Sequence, residues 1–244
     1  MKKIVKDAIL SVLFVLLFSL SLFAFVVVAS YFITKTAHAD VTQNLRACTV
    51  RVEKATGSIV FGKSGQRYIL TNWHVCQLFR AKQKSLEAVY DDDTTVFGPI
   101  VVSDSSVDLC AAKITDQVPA LQMTPHNRVK DVVTRGYPGG LVNESHGYTK
   151  ERIVWSYELA VELIGTCPEN SKVNYYQNGK VRSCTFTWTN ILTNLYSRPG
   201  SSGSPVLDNE GFLAGVISSH DSNLSDFAGG MVPTEDVRAF LDKL

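Results

Sequence analysis

Net charge is almost absent from this 244-residue chain: 24 Lys and Arg against 23 Asp and Glu leave +1, and charged residues make up 19% of the whole. A balance this even leaves no electrostatic footprint for nucleic acid, and no nucleic-acid partner is expected. Repeats and low-complexity tracts are also missing. Cysteine is sparse and odd in number, with five residues at Cys48, Cys76, Cys110, Cys167 and Cys184, so at least one has no partner within the chain. Their spacing matches no zinc motif, and no metal or other cofactor is expected. The acidic run Asp91-Asp92-Asp93 falls where a hairpin turn is expected and reads as a solvated face.

Charge is missing altogether between Ala8 and Ile33, directly after the basic start Met1-Lys2-Lys3-Ile4-Val5-Lys6. A run of about 26 such residues exceeds the apolar stretch of an ordinary signal peptide and can span a bilayer with some tilt. Residues 1–40 are therefore expected to be a signal anchor with a transmembrane helix over about 8–33. Ala37-His38-Ala39 offers the competing reading, a signal peptide cut before Asp40. Lys2, Lys3 and Lys6 favour a cytoplasmic N-terminus, so both readings place residues 41–244 outside the cytoplasm, anchored at the membrane or secreted.

Beyond Val41 the chain is a series of short β-branched or aromatic runs separated by Gly, Asp and Ser turns. The first half holds residues 48–52, 57–61, 66–70, 86–90, 96–102 and 107–114, and the second holds 132–136, 152–156, 184–188 and 215–218. This texture over roughly 200 residues predicts an all-β protein of two antiparallel barrels. At the end, Thr234 is expected to cap a helix over 234–244, with acidic residues in its first turn and a packing stripe of Val237, Phe240, Leu241 and Leu244.

Three segments carry chemistry. Pro199-Gly200-Ser201-Ser202-Gly203-Ser204-Pro205 can present the Ser202 hydroxyl beside free backbone N–H groups, with Gly200 permitting the tight turn and Gly203 leaving space for a substrate to approach. A serine hydroxyl needs a base within hydrogen-bond reach and donors for the oxyanion it creates. Tyr68 to Val75 reads as a strand with His74 at its end, and Val107 to Ile114 reads as a strand that holds Asp108 behind the imidazole. The order along the chain is His, Asp, Ser. An α/β-hydrolase expects the order Ser, Asp, His and a Gly-x-Ser-x-Gly elbow leading into a helix, neither of which is present.

These segments resemble the chymotrypsin/trypsin-like serine protease superfamily, and most closely its bacterial HtrA-like branch, from about Gly57 to Val232. The resemblance implies two six-stranded barrels, the first over about 45–120 and the second over about 128–232, with the site in the cleft between them. It implies that Ser202 attacks, that His74 moves the proton, that Asp108 orients His74, and that the N–H groups of Gly200 and Ser202 form the oxyanion hole. The expected activity is hydrolysis of peptide bonds in a polypeptide substrate through an acyl-enzyme. The alternative is a membrane-tethered pseudoprotease that binds peptides without cutting them.

By the same resemblance, Tyr196, Ser197, Ser218, Ser219 and His220 line the substrate pocket, with His220 at the rim favouring an acidic or polar side chain. Ser201 stands where trypsin-like zymogens carry an aspartate, so activation by a freshly cut N-terminus is not expected. No PDZ domain is expected to follow. Cys167 and Cys184 bracket a hairpin turn around Asn174 to Gly179 and are expected to pair, closing a loop whose stabilisation is about 3 kcal/mol. In trypsin-like enzymes a cysteine directly after the catalytic histidine is often bridged. Here Val75 intervenes, and the partner of Cys76 is left open.

Overall fold

The computed structural model describes residues 18–28, 41–80, 84–164, 166–176, 178–220 and 229–244, the side chains of residues 78–80, 163 and 220 excepted. The chain divides into two compact units, Met1–Asp40 and Val41–Leu244. In the first unit residues 18–28 are helical, with Phe18, Leu20, Phe23 and Phe25 exposed. The rest of the charge-free run and Ala37-His38-Ala39 lie outside the described residues. Among the described residues no helix is long and apolar enough to cross a membrane.

The second unit begins with helix α1 (residues 41–48), which the sequence reading did not assign; the first strand had been expected from Cys48. Six strands follow: β1 (Thr49–Val52), β2 (Ala55–Phe61), β3 (Arg67–Thr71), β4 (Ser85–Val89), β5 (Thr95–Asp104) and β6 (Leu109–Ile114). They close into a barrel in the order β1-β2-β3-β6-β5-β4, sealed where Arg51 lies opposite Val89. Alternation decides the inside: in β4, Leu86 and Ala88 are buried while Glu87 faces out. Val50, Ile59, Ile69, Ala112 and Ile114 complete this core.

Helix α2 (Trp73–Arg80) interrupts the barrel between β3 and β4. The sequence suggested only a strand running into a turn there. The helix buries Val75 and Cys76 in the barrel core and Trp73 in a separate aromatic cluster with Phe186 and Trp188, so tertiary burial stabilises a segment too short to be helical alone.

The second half contains β7 (Asp131–Gly136), β8 (Asn143–Ala160), α3 (Val161–Ile164), β9 (Lys172–Tyr175), β10 (Val181–Thr193), β11 (Pro205–Leu207), β12 (Leu213–His220), β13 (Gly229–Val232) and α4 (Thr234–Leu241). The sheet order is β13-β12-β11-β7-β8-β10-β9, and pairing of β10 with β13 brings six of these strands round on themselves. The architecture is the trypsin-like double barrel, with β9 added as a seventh strand beside β10. One apolar cluster is common to both barrels: Val60, Leu70 and Leu109 from the first meet Val133, Leu207 and Val216 from the second. α4 covers this cluster with Val237, Phe240 and Leu241, each burial stabilising by roughly 1.5–3 kcal/mol. Thr234 is not a cap; it is the first helical residue, and its hydroxyl donates to the Ala214 carbonyl at 2.6 Å.

Candidate active site

β3 ends at Thr71, and the carbonyl of Asn72 accepts the first bond of α2, from Cys76 N–H at 3.2 Å. His74 thus sits in the first helical turn, where backbone N–H groups lack intrahelical partners. Its N–H donates to Asp108 Oδ1 at 3.1 Å, and its ring Nδ1 lies 3.0 Å from both carboxylate oxygens of Asp108. A third donor arrives from the second barrel, the Ser218 hydroxyl at 2.6 Å from Oδ2. The Asn72 side chain holds the Asp108 carbonyl at 3.0 Å. Because a carboxylate only accepts, Nδ1 is the donor in this contact and carries a proton.

Asp108 is not part of a strand, as had been expected. It closes a turn before β6 with φ +56° and is 0% exposed. Aspartate tolerates this left-handed conformation better than most residues do, and the turn aims its carboxylate at α2. Trp188 braces the turn by donating from Nε1 to the Ser105 carbonyl at 2.7 Å. A disulfide joins Cys76, two residues past His74, to Cys110, two residues past Asp108, which supplies the partner that the sequence left open. A second disulfide joins Cys167 to Cys184, and Cys48 is free and buried.

Ser202 lies on the loop between β10 and β11, and every peptide from Ser197 to Pro205 is held by its carbonyl or its N–H. The Pro199 carbonyl accepts from Gly139 N–H at 2.9 Å, and the Ser201 carbonyl accepts from Ser204 N–H at 2.9 Å. In a trans peptide the N–H points opposite to the carbonyl, so these two contacts turn the N–H groups of Gly200 and Ser202 the other way. Among the described residues neither N–H donates to any acceptor. Ser201 is buried and bonded within the loop: its hydroxyl accepts from Arg198 N–H at 3.1 Å and its own N–H donates to the Arg198 carbonyl at 2.8 Å.

Gly200 has φ +100°, and a Cβ there would meet the Tyr137 carbonyl at 2.6 Å. Gly203 does not face the substrate side, contrary to expectation. A Cβ on it would lie 1.9 Å from the Thr56 carbonyl, so its role is close approach of two backbones.

One cavity of about 350 Å³ is lined by His74, Ser202, Ser197, Ser218 and Ser219, with Trp155 and Tyr157 of β8 forming a wall. Ser202 and His74 share this cavity, but no hydrogen bond joins their side chains; such bonds are commonly long before substrate arrives. A second cavity of about 760 Å³, lined in part by Arg51, Glu53 and Glu87, shares Lys54, Pro199 and Gly200 with the first.

Ser218 lines the cavity that holds Ser202, and its hydroxyl donates to Asp108. Ser219 accepts from Asn190 Nδ2 at 3.0 Å, and Ser197 donates to the Ser219 carbonyl at 3.2 Å. The Tyr196 ring lies 5.5 Å from the Arg198 guanidinium, and Tyr196 does not line the cavity that holds Ser202. His220 ends β12 opposite Gly229, and its side chain lies outside the described residues.

Tyr157 was not singled out by the sequence. Its ring stands 5.1 Å from His74, and burial first, then the charge of Asp108, push its phenol above the ordinary 10.0. No local motif marks it, because its place beside His74 follows from the packing of rings on the paired strands β8 and β10, Tyr157 and Trp188, against the His74 ring.

The family model of the trypsin-like peptidase domain matches residues 55–216, a span that contains His74, Asp108 and Ser202. No curated protein matches the chain. Among solved structures the chain is similar to Rv3671c protease in its inactive form, at 20% identity and TM-score 0.58, covering 83% of this chain and 91% of that one. It is similar also to the active form of Rv3671c protease from M. tuberculosis, at 20% identity and TM-score 0.59, covering 83% of each chain. The likeness to these structures is one of fold. With a match that spans well over half of its length, the chain belongs to the family of trypsin-like peptidase domains.

Proposed function

We propose that the protein is a serine endopeptidase in which Ser202, His74 and Asp108 act together. The observation that carries this reading is that His74 Nδ1 is committed to a buried carboxylate while His74 and Ser202 line one cavity, which leaves Nε2 to serve as the base in the proposed reaction. In the proposed reaction Ser202 Oγ attacks the scissile carbonyl carbon while Nε2 takes the hydroxyl proton. The N–H groups of Gly200 and Ser202 receive the oxyanion, each worth roughly 3–4 kcal/mol in comparable sites. The imidazolium returns the proton to the leaving amine, and water then releases the acyl group by the same steps in reverse. Cleavage within a chain, rather than at its end, is supported by the two cavities meeting at Gly200, which leaves room for peptide on both sides of the scissile bond.

The acyl-side pocket is proposed to involve Ser197, Ser219 and His220, with a preference for acidic or polar side chains. A peptide library cleaved no better after Glu or Asp than after Val or Ala would remove that preference. The proposed location is outside the cytoplasm, tethered by the charge-free run from Ala8 to Ile33, which membrane fractionation and N-terminal sequencing of the mature protein would test.

The decisive experiment for the activity is labelling with a fluorophosphonate probe. The folded wild type is expected to label at one site and Ser202→Ala to lose it, with peptide turnover falling by about four to six orders of magnitude. A folded wild type that does not label would make the protein a peptide-binding module instead.

A further inference from the structure

Thr56 lies on β2 of the first barrel, yet its bonds reach the serine loop of the second. Its N–H donates to the Ser202 carbonyl at 2.9 Å, and its hydroxyl donates to the Gly200 carbonyl at 2.7 Å. These two bonds bracket the peptide that carries the Ser202 N–H. The hydroxyl has a single proton, and its acceptor side is occupied by Tyr137 N–H at 2.9 Å, so the proton is directed at Gly200. Tyr137 is itself anchored by its phenol, which donates to Asp91 Oδ1 at 2.7 Å. Thr56 is 0% exposed, and its carbonyl is held by the Thr71 hydroxyl at 2.8 Å.

We propose that Thr56 is a positioning residue for the oxyanion hole, a reading that rests on the serine-peptidase function proposed above. Gly200 is the joint between the peptide presenting its own N–H and the peptide leading to Ser201. Glycine at φ +100° has no side chain to restrict rotation about that joint. The Thr56 hydroxyl supplies the restriction from outside by fixing the Gly200 carbonyl. Valine has the same shape but no proton to donate. In a Thr56→Val chain the Gly200 carbonyl loses this donor, and the two oxyanion donors are no longer held in register.

The test uses the full chain with wild type, Thr56→Val, Thr56→Ala and Thr56→Ser, each normalised to active sites by fluorophosphonate titration and checked by thermal melting. Thr56→Val and Thr56→Ala are expected to lose about 100-fold in kcat with KM within about threefold of wild type, as for loss of one oxyanion donor. Affinity for a peptide aldehyde, whose adduct oxygen occupies the hole, is expected to fall in step with kcat, while affinity for the product peptide holds. Thr56→Ser restores the hydroxyl and is expected to restore kcat.

The proposal is overturned if Thr56→Val keeps kcat within about threefold, or if Thr56→Ser is as impaired as Thr56→Val. It is overturned equally if Val and Ala both fail to fold while Ser folds and is active, which would assign Thr56 to folding. A folded wild type that neither labels nor cleaves would take down the serine-peptidase reading and this proposal together. An active wild type with an unaffected Thr56→Val would take down this proposal alone.

Discussion

Removing the Cys76–Cys110 disulfide by the double change to alanine tests how the His74 and Asp108 segments are held together. The bridge closes a loop of sequence separation 34, and the Cys167–Cys184 bridge one of 17. In the chain-entropy description these closures are worth about 3.8 and about 3.1 kcal/mol at 25 °C. For a domain of this size each kcal/mol moves the melting temperature by roughly 2–4 °C, so loss of the first bridge is expected to lower Tm by about 8–15 °C. Cys76 and Cys110 are both fully buried, and the space left by their sulfurs adds to the loss. Activity should respond differently, because His74 N–H, His74 Nδ1 and the Asn72 side chain still bond Asp108 when the bridge is gone. Well below the melt, kcat is expected to stay within about tenfold of wild type, short of the 100-fold that a 1 Å misplacement brings. The assay is near-UV circular dichroism melting of both double variants beside peptide turnover. A drop in Tm of less than about 3 °C for Cys76/Cys110, or one smaller than for Cys167/Cys184, would refute the loop-closure reasoning.

Gly203→Ala should destabilise by more than about 3 kcal/mol in urea unfolding, since its methyl would have to occupy the position of the Thr56 carbonyl; a variant as stable as wild type would contradict this close approach. The Cys48 thiol is pushed up by burial from 9.0 to about 12, so Ellman's reagent should find no thiol in the folded protein and one per chain after denaturation without reductant. Its folded pKa is raised, so its contribution to stability is complete below pH 9.0 and is lost as pH rises toward 12; a folded thiol that reacts promptly at pH 8 would contradict its burial. Burial alone would raise the Glu144 carboxyl, but its bonds to Arg46 and Arg135 outweigh that and hold it below its ordinary 4.5. That stabilisation is present above pH 4.5 and lost as pH falls through the lowered value, so Glu144→Gln should flatten the acid limb of a stability-against-pH curve, and an unchanged limb would remove Glu144 from the account.

Much of the fold was legible in the sequence because strands announce themselves by local composition. The runs at 86–90 and 132–136 fall within a residue of β4 and β7. Elements that owe their form to neighbours were not legible. β13 is Gly229-Gly230-Met231-Val232, and its two glycines argue against a strand. They are there because a Cβ on Gly230 would lie 2.2 Å from Ser219 Oγ, and on Gly229 3.0 Å from Ser197 Cβ. β11, only Pro205–Leu207, is a strand because β7 and β12 flank it. The acidic run at 91–93 is exposed in the turn between β4 and β5, as the sequence suggested, but the bonds Asp91 makes from there to Arg135 and Tyr137 were not legible.

The residue types of the candidate site were readable from the sequence, since Thr-Asn-Trp-His-Val and Gly-Ser-Ser-Gly-Ser-Pro are contiguous and their chemistry depends on adjacent residues. The partners of those residues were not. Thr56 stands 144 positions from Gly200, Ser218 stands 110 from Asp108, and Tyr157 reaches His74 from another barrel. A hydroxyl or a ring has no preferred distant partner until the backbone is folded, so the sequence by itself determined which side chains are candidates for the proposed chemistry. Only the tertiary structure decided which carbonyls, hydroxyls and rings hold them, because that depends on the closing of two barrels around a shared apolar core.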